Sequence, residues 1–153
     1  MAWVRAAAEV DVDFIARNMR EADRMECAAY GKSPYLALSE GFQCSLPCFT
    51  GMVDDRPVVM FGVVPLGDGI GSIWLLGTDA ITNEIPVAFL RWTKRLLPVL
   101  TEPFTLVCNA VDKRNVVHVK WLRWLGFTFI REVRLGPSDL PFYEFARLTC
   151  VTQ

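Results

Sequence analysis

Asn115-Val116-Val117-His118-Val119-Lys120-Trp121-Leu122-Arg123-Trp124-Leu125-Gly126-Phe127 reads as a helix that stops, turns on a glycine and returns as a strand. Val117, Trp121 and Leu125 recur four apart, which lays one apolar stripe along a helix over 115–125. Asn115 stands where an N-cap belongs. Gly126 fits the left-handed position after the helix, and Phe127 fits the apolar residue that packs back on it. On either side the pattern is β. Residues 104–111 read as one strand, and 127–134 and 142–149 as two more, joined by a turn containing Gly136-Pro137-Ser138-Asp139.

Further towards the N-terminus, Pro86 opens a helix in which Phe89, Trp92 or Thr93, and Leu96 face one way while Arg91, Lys94 and Arg95 face another. Before it, strands over 48–53, 57–64 and 72–78 are separated by Asp54-Asp55-Arg56 and by Gly67-Asp68-Gly69-Ile70-Gly71. These form an antiparallel meander. The second glycine-rich turn precedes its strand, so it reads as a hairpin and not as a phosphate loop. The chain begins with a short strand over 3–5. Asp11 is then expected to cap one helix whose stripe is Ile15, Met19, Ala22, Met25 and Ala29. Ser33-Pro34 caps and opens a shorter helix to Gly41. The order is β-α-α-β-β-β-α-β-α-β-β. It predicts an α/β fold with a mixed central sheet of about seven strands flanked by about four helices. The unit from 72 to 111 must cross over to a parallel strand.

Composition narrows the function classes. The 153 residues are 52% hydrophobic and 12% aromatic, enough for one domain over 1–153 with a sizeable core and no need of disulfides. The longest near-unbroken apolar stretch, 57–66, is about half of the ~20 residues that cross a bilayer. No basic-then-apolar leader opens the chain, so a cytoplasmic protein without membrane partners is expected. Sixteen basic and seventeen acidic residues nearly cancel, which argues against general nucleic-acid binding. Five scattered cysteines and a single His118 offer no zinc-site spacing, so no metal is expected and the thiols read as reduced and mostly buried.

The element order, together with Asn115-x-x-His118-x-x-Trp121-Leu122-x-x-Leu125-Gly126-Phe127, resembles the GCN-five-related N-acetyltransferase (GNAT) superfamily over nearly the whole chain. The spacing agrees with that family's last-helix pattern at Asn115, Gly126 and Phe127. Several strings more closely resemble a phage- and prophage-encoded subgroup related to the internal virion protein A of short-tailed phages. These are Arg20-x-x-Asp23-x-x-Glu26, Pro57-Val58-x-Met60-Phe61-Gly62-Val63, Trp74-Leu75-Leu76-Gly77-Thr78-Asp79 and Trp121-Leu122-x-Trp124-Leu125-Gly126-Phe127.

The resemblance implies acetyl-CoA as cofactor, bound where the 72–78 strand runs into the helix from Pro86. Leu76, Gly77, Thr78, Asn109 and Asn115 are the candidate cofactor contacts. The family's glycine-rich pyrophosphate loop is replaced here by Asp79-Ala80-Ile81-Thr82-Asn83-Glu84-Ile85, which has no glycine, no base and two acids. The family's proton-donating tyrosine falls on Leu122, which cannot donate. Tyr30, Tyr35 and Tyr143 are the possible substitutes. Glu26 and Asp79 are candidate general bases, and His118 a candidate acid or base. Arg20, Asp23 and Glu26, three apart on one helical face, either bind a substrate amine or form an ion-paired surface. If Trp121 and Trp124 do not both point inward, one of them is left for a protein interface.

With two catalytic elements altered, the leading expectation is a phage GNAT-fold protein that acts by binding in virion assembly. Its partners would be phage structural proteins, a host protein or a second copy of the chain, in the host bacterial cytoplasm or the virion. The alternative is an acetyl-CoA-dependent N-acetyltransferase acting on an amine of a host or phage protein or of a small molecule.

Overall fold

A computed structural model describes residues 1–149. Its elements run β1 (Ala2–Ala6), α1 (Glu9–Arg17), α2 (Glu21–Ala29), α3 (Pro34–Cys44), β2 (Cys48–Val53), β3 (Arg56–Gly67), β4 (Ile70–Gly77), α4 (Ala80–Asn83), α5 (Pro86–Thr101), β5 (Leu106–Asp112), α6 (Val116–Trp124), β6 (Thr128–Leu135) and β7 (Leu140–Leu148). The seven strands form one mixed sheet in the order β1-β2-β3-β4-β5-β7-β6. The helices number six among the described residues, not about four. Two of the expected boundaries explain the excess.

The stretch from Asp11 to Ala29 is two helices. Ala8 occupies the first N-cap, and Asp11 lies inside α1, accepting from the Ala8 amide at 2.9 Å and from both terminal nitrogens of Arg5 at 2.8 Å. Burial opposes the Asp11 charge, but Arg5, the Ala8 amide and Thr50 together hold its pKa below the usual carboxylate range. The helix breaks at Asn18 and resumes after Arg20. Met19, in the gap, forms an isolated antiparallel bridge to Thr78 while its side chain stays buried. The apolar spacing therefore runs on across a backbone that has left the helix. The second extra helix is α4, a single turn between β4 and α5.

Two apolar clusters fill the two faces of the sheet. One joins α1, α2 and α3 to Met60 and Leu76 through Ile15, Met19, Cys27 and Leu38. The other joins α4, α5 and α6 to the opposite face through Ile81, Leu97, Leu100, Leu122 and Leu125. On α5 the buried positions are Thr93, Leu97, Leu100 and Thr101, so of the two expected alternatives Thr93 faces inward, and Phe89, Trp92 and Leu96 pack at the margin. Gly126 has φ +92°, and the Phe127 amide donates to Leu122 O at 3.1 Å, so the helix stop on which the fold was read is present. Among the four described cysteines, only Cys27 is buried; Cys48 and Cys108 are half-buried and Cys44 is exposed, which corrects the expectation of mostly buried thiols. Cys150 lies outside the described residues.

The crossover places β4 and β5 side by side in parallel, but they pair only at Ile70–Leu106, Gly71–Val107 and Ser72–Cys108. Beyond that point β4 continues five residues to Gly77 along β3, and β5 four residues to Asp112 along β7, without pairing to each other. The sheet is split at its centre.

Candidate active site

The split is held open by specific contacts. Where the strands part, Asn109 Nδ2 donates to Ile73 O at 2.7 Å, so the β5 side chain takes up a β4 carbonyl that a paired strand would otherwise satisfy. Further up, Gly77 is bonded at both backbone groups by the α1–α2 junction. Its amide donates to Asp23 Oδ2 at 3.0 Å, and the Arg20 amide donates to its carbonyl at 2.9 Å. Successive residues of a strand turn to opposite sides. Leu75, midway between Ile73 and Gly77, thus presents its N–H and C=O to the gap with no β5 partner.

Helix α2 straddles the opening. Near its start, Asp23 is fully buried, bound by Gly77 N and by Arg20 Nη1 at 2.9 Å. One turn on, Glu26 Oε1 accepts from the Asp112 amide at 2.9 Å, on the β5 side. A further turn on, Tyr30 Oη donates to Ala110 O at 3.4 Å while its ring packs at a tilt against Phe142, with centroids 5.0 Å apart. The Arg20, Asp23 and Glu26 group is therefore divided. Arg20 and Asp23 pair and fasten β4, whereas Glu26 has no basic partner among the described residues and turns to β5.

This division sets the electrostatics. Burial pushes the Glu26 carboxyl up to about 8, and the nearby Asp23 and Asp112 add to the rise against the hydrogen bond from the Asp112 amide. Asp23 is also raised by burial, with Arg20 the main opposing influence. The Tyr30 hydroxyl is raised above its ordinary value, first by burial and then by Glu26 and Asp112, so it keeps its proton throughout the neutral range. His118 is pulled down to about 3, by burial first and Arg20 second, and is neutral. Its Nδ1 lies 3.4 Å from Asn115 Nδ2.

A cavity of about 420 Å³ passes through the split and is lined from both faces of the sheet. On the α2–α3 side its wall includes Glu26, Tyr30, Lys32, Glu40, Gly41 and Trp74. Gly41 is required there, because a Cβ would meet the Trp74 ring at 2.5 Å. On the α5–α6 side the wall includes Thr93, Leu97, His118, Trp121 and Leu122. Leu122 is buried in that wall and supplies only apolar surface.

The predicted site residues separate on this geometry. Glu26, His118, Leu76 and Asn109 line the cavity. Asn115 is buried beside it; its carbonyl accepts from the Val119 amide at 3.0 Å, but its side chain makes no capping bond and turns instead to His118. Leu76 pairs with Met60, so its backbone faces β3, and Gly77 is already bonded on both groups. Both the amide and the hydroxyl of Thr78 donate to Val58 O, at 2.8 and 3.1 Å. Asp79 is exposed at the N-cap of α4 and is not part of the cavity wall. Leu75 was missed by sequence reading; strand alternation would have pointed to it only once the register was known. Of the three tyrosines, only Tyr30 lines the cavity. Trp121 turns inward, its Nε1 donating to Thr93 Oγ1 at 3.3 Å, and Trp124 is the one left exposed, under Lys94.

The connection from β4 to α5 is closed on itself. Ile81 N donates to Thr78 O, Thr82 and Asn83 donate to Asp79 O, and Glu84 and Ile85 donate to Ala80 O. Pro86 has no N–H, and Phe89 donates to Ile85 O. Among the described residues this leaves the Val87 and Ala88 amides at the head of α5. Glu84 is paired with Arg56 at 2.6 Å, so its charge is largely offset. The gap at Leu75 therefore leaves strand backbone groups open to an extended arm, whereas an anion at this connection would meet only a sparse cradle.

No family model matches the chain, and no curated protein matches it by sequence. Solved structures do. The acetyltransferase of the GNAT family from Streptococcus pneumoniae matches at TM-score 0.65 and 12% identity, over 98% of this chain and 100% of that one. The ribosomal-protein-S18-alanine N-acetyltransferase of Escherichia coli matches at TM-score 0.70 and 12% identity, over 100% of this chain and 97% of that one. The Salmonella typhimurium protein yncA, solved with its cofactor acetyl-CoA, matches at TM-score 0.67 and 14% identity, over 99% and 95%. At these identities the likeness establishes the fold, and the chain has the GNAT fold.

Proposed function

We propose that this protein is a thioester-dependent N-acyltransferase of the GNAT fold, using acetyl-CoA or a related acyl-CoA to modify an amine. The observation that carries the reading is the cavity through the split sheet, with Glu26 in its wall. That carboxyl, raised to about 8, is matched to taking a proton from an ammonium group near neutrality. Bound acetyl-CoA supplies an acyl group already activated as a thioester. The gap at Leu75 and Asn109 orients the thioester, since Leu75 offers backbone groups with no other partner. Glu26 accepts the proton that the amine loses as its nitrogen bonds to the acyl carbon. Tyr30, held protonated, gives a proton to the sulfur as the carbon–sulfur bond breaks. His118, held neutral by burial, lines the wall as a polar group and does not serve as the base.

A second reading rests on the closed 79–85 connection and on Leu122. It holds that the fold serves binding alone, in a phage particle or its assembly. The two are separated by calorimetric titration with acetyl-CoA, with release of free thiol monitored in the presence of a lysine-containing peptide. Micromolar binding that weakens in Asn115→Ala is the expected result. No heat at millimolar acetyl-CoA from a folded sample would leave the binding reading standing and remove the enzyme.

A further inference from the structure

The outer sides of α5 and α6 carry a charge that the rest of the chain does not share. Five of the sixteen basic residues stand on these two helices, Arg91, Lys94, Arg95, Lys120 and Arg123, and none of the seventeen acidic ones. All five are exposed. Among the described residues none of the five is in an ion pair, whereas Arg17, Lys32, Arg56, Lys113, Arg114 and Arg131 elsewhere on the surface are each paired with a carboxylate. Arg91 and Arg95 lie four apart, a spacing at which like charges disfavour the helix that bears them. Lys94 Nζ stands 5.0 Å from the centre of the Trp124 ring, which joins the two helices into one surface. Val87, Leu90, Val117 and Trp124 are exposed among the cations. Arginines around an exposed tryptophan are the composition of a protein interface, and the charge calls for an acidic partner.

The inner sides of the same helices line the cavity through Thr93, Leu97, His118, Trp121 and Leu122. A partner that suits both sides is one that brings the thioester with it. Resting on the acyltransferase reading, we infer that the acyl group arrives on the phosphopantetheine arm of a small acidic carrier protein, which docks on the outer sides of α5 and α6. Such an arm ends in one phosphodiester where acetyl-CoA has a nucleoside diphosphate, so it makes less demand on the closed 79–85 connection. Contact between the carrier's acidic surface and the two helices supplies the affinity that the connection does not. The acyl carbon passes from the arm's sulfur to the amine nitrogen, the amine's proton goes to Glu26, and the arm leaves as a free thiol with a proton from Tyr30. A nucleic acid fits less well. Lys94 occupies a face of the Trp124 ring on which a base would stack, and the exposed aliphatic side chains offer nothing to a phosphate backbone.

The test is calorimetric titration of the unmodified protein with acetyl-CoA, with a bacterial acyl carrier protein bearing acetyl-phosphopantetheine, and with the same carrier lacking its arm. Charge complementarity raises association by about tenfold or more. The acetyl-carrier is therefore expected to bind at least about tenfold more tightly than acetyl-CoA at low ionic strength, and the advantage should fade as salt rises through about 0.15 M. Lys94→Glu combined with Lys120→Glu should abolish that advantage. Lys94 lies two helical turns below Val87, about 10 Å along the axis, so acetyl-CoA affinity in the double variant should stay within about twofold at 0.15 M salt. Thermal melts identify which samples are folded. An acetyl-carrier that binds no more tightly than acetyl-CoA overturns the inference and leaves the acyltransferase reading intact. Equal binding of the carrier with and without its arm does the same, because contact at the surface would then deliver nothing to the split. A single-stranded oligonucleotide that binds more tightly than the acetyl-carrier would assign the face to nucleic acid and also overturn the inference. Silence from acetyl-CoA and acetyl-carrier alike overturns the acyltransferase reading, and the inference with it.

Discussion

Helices α2 and α4 both meet the far end of β4, and they treat it in opposite ways. At α2 the contacts are long-range and made by side chains: Asp23 reaches Gly77 across 54 residues of sequence, and Glu26 reaches Asp112 across 86. At α4 they are local and made by backbone, with every amide from Ile81 to Ile85 donating within the same short segment. The first arrangement builds a polar wall with a shifted carboxyl. The second consumes the donors that an anion would need. On the acyltransferase reading, the same strand end keeps groups suited to proton transfer while giving up most of the means for gripping a diphosphate, and recognition of a thioester would rest on its arm.

The largest effect should come from breaking the α2 side. Asp23→Ala removes the acceptor of Gly77 N and strands the Arg20 guanidinium, which is only 13% exposed. Removing one partner of a buried pair costs about 3–5 kcal/mol. Denaturant unfolding followed by tryptophan fluorescence should show that loss, and a change below about 1 kcal/mol would mean that α2 is not fastened to β4 through this carboxylate.

Glu26→Gln should act on rate and spare the fold. Loss of a positioned base costs about 10²–10⁴-fold in turnover. In the unmodified protein kcat/KM should climb with pH and level off above about 8, where the carboxyl is ionised. Stability should run the other way. Between the ordinary value of 4.5 and the folded value of about 8, the folded state keeps a proton that the unfolded chain has released, so stability falls as pH rises through that window. Glu26→Gln should flatten both profiles. A rate profile that stays sloped around pH 8 in the variant would assign the base to another group.

How much of this was legible in the sequence follows the same division between local and long-range. The succession of strands along the chain, the Gly126 stop and the Ser33-Pro34 helix start were legible because each is written in neighbouring residues. Ser33 does accept from Leu36 N at 3.1 Å. The break after Arg17 was hidden because Met19 keeps the apolar stripe in step while its backbone bridges to Thr78. The closed connection at 79–85 was half legible. Its missing glycines showed that it is not the family's loop, but not that it would coil into a helical turn. Glu26 could be named as a candidate from its place on a helix, yet its separation from Arg20 depends on where Asp112 arrives, a contact that no local pattern encodes. Tyr30 was one of three candidates until the cavity singled it out.

Tyr30→Phe should produce a smaller effect than Glu26→Gln. The phenylalanine retains the ring contact with Phe142 and loses only the hydroxyl with its long hydrogen bond to Ala110 O, so melting should change little. A fall in kcat of about 10²-fold, with KM unaltered, is expected if the hydroxyl protonates the leaving sulfur. The decisive comparison uses an acyl donor with a more acidic thiol, which needs less help in leaving. The defect should shrink with that donor, and a defect of constant size would place Tyr30 in binding rather than in proton transfer.

The smallest effect is expected at α4, from Glu84→Lys. In the folded protein Glu84 and Arg56 offset one another beside the head of α5, where the Val87 and Ala88 amides remain. The substitution leaves two cations there without supplying a single new backbone donor. Binding of acetyl-CoA should tighten by a few-fold at low ionic strength, and the gain should fade above about 0.15 M salt, where exposed charges are screened beyond ~8 Å. A gain of a hundredfold or more would break the comparison between the two helices, because it would require α4 to open and give its amides to the diphosphate. No gain at any salt concentration would mean that the diphosphate does not approach this end of β4, and that the thioester is held by the split alone.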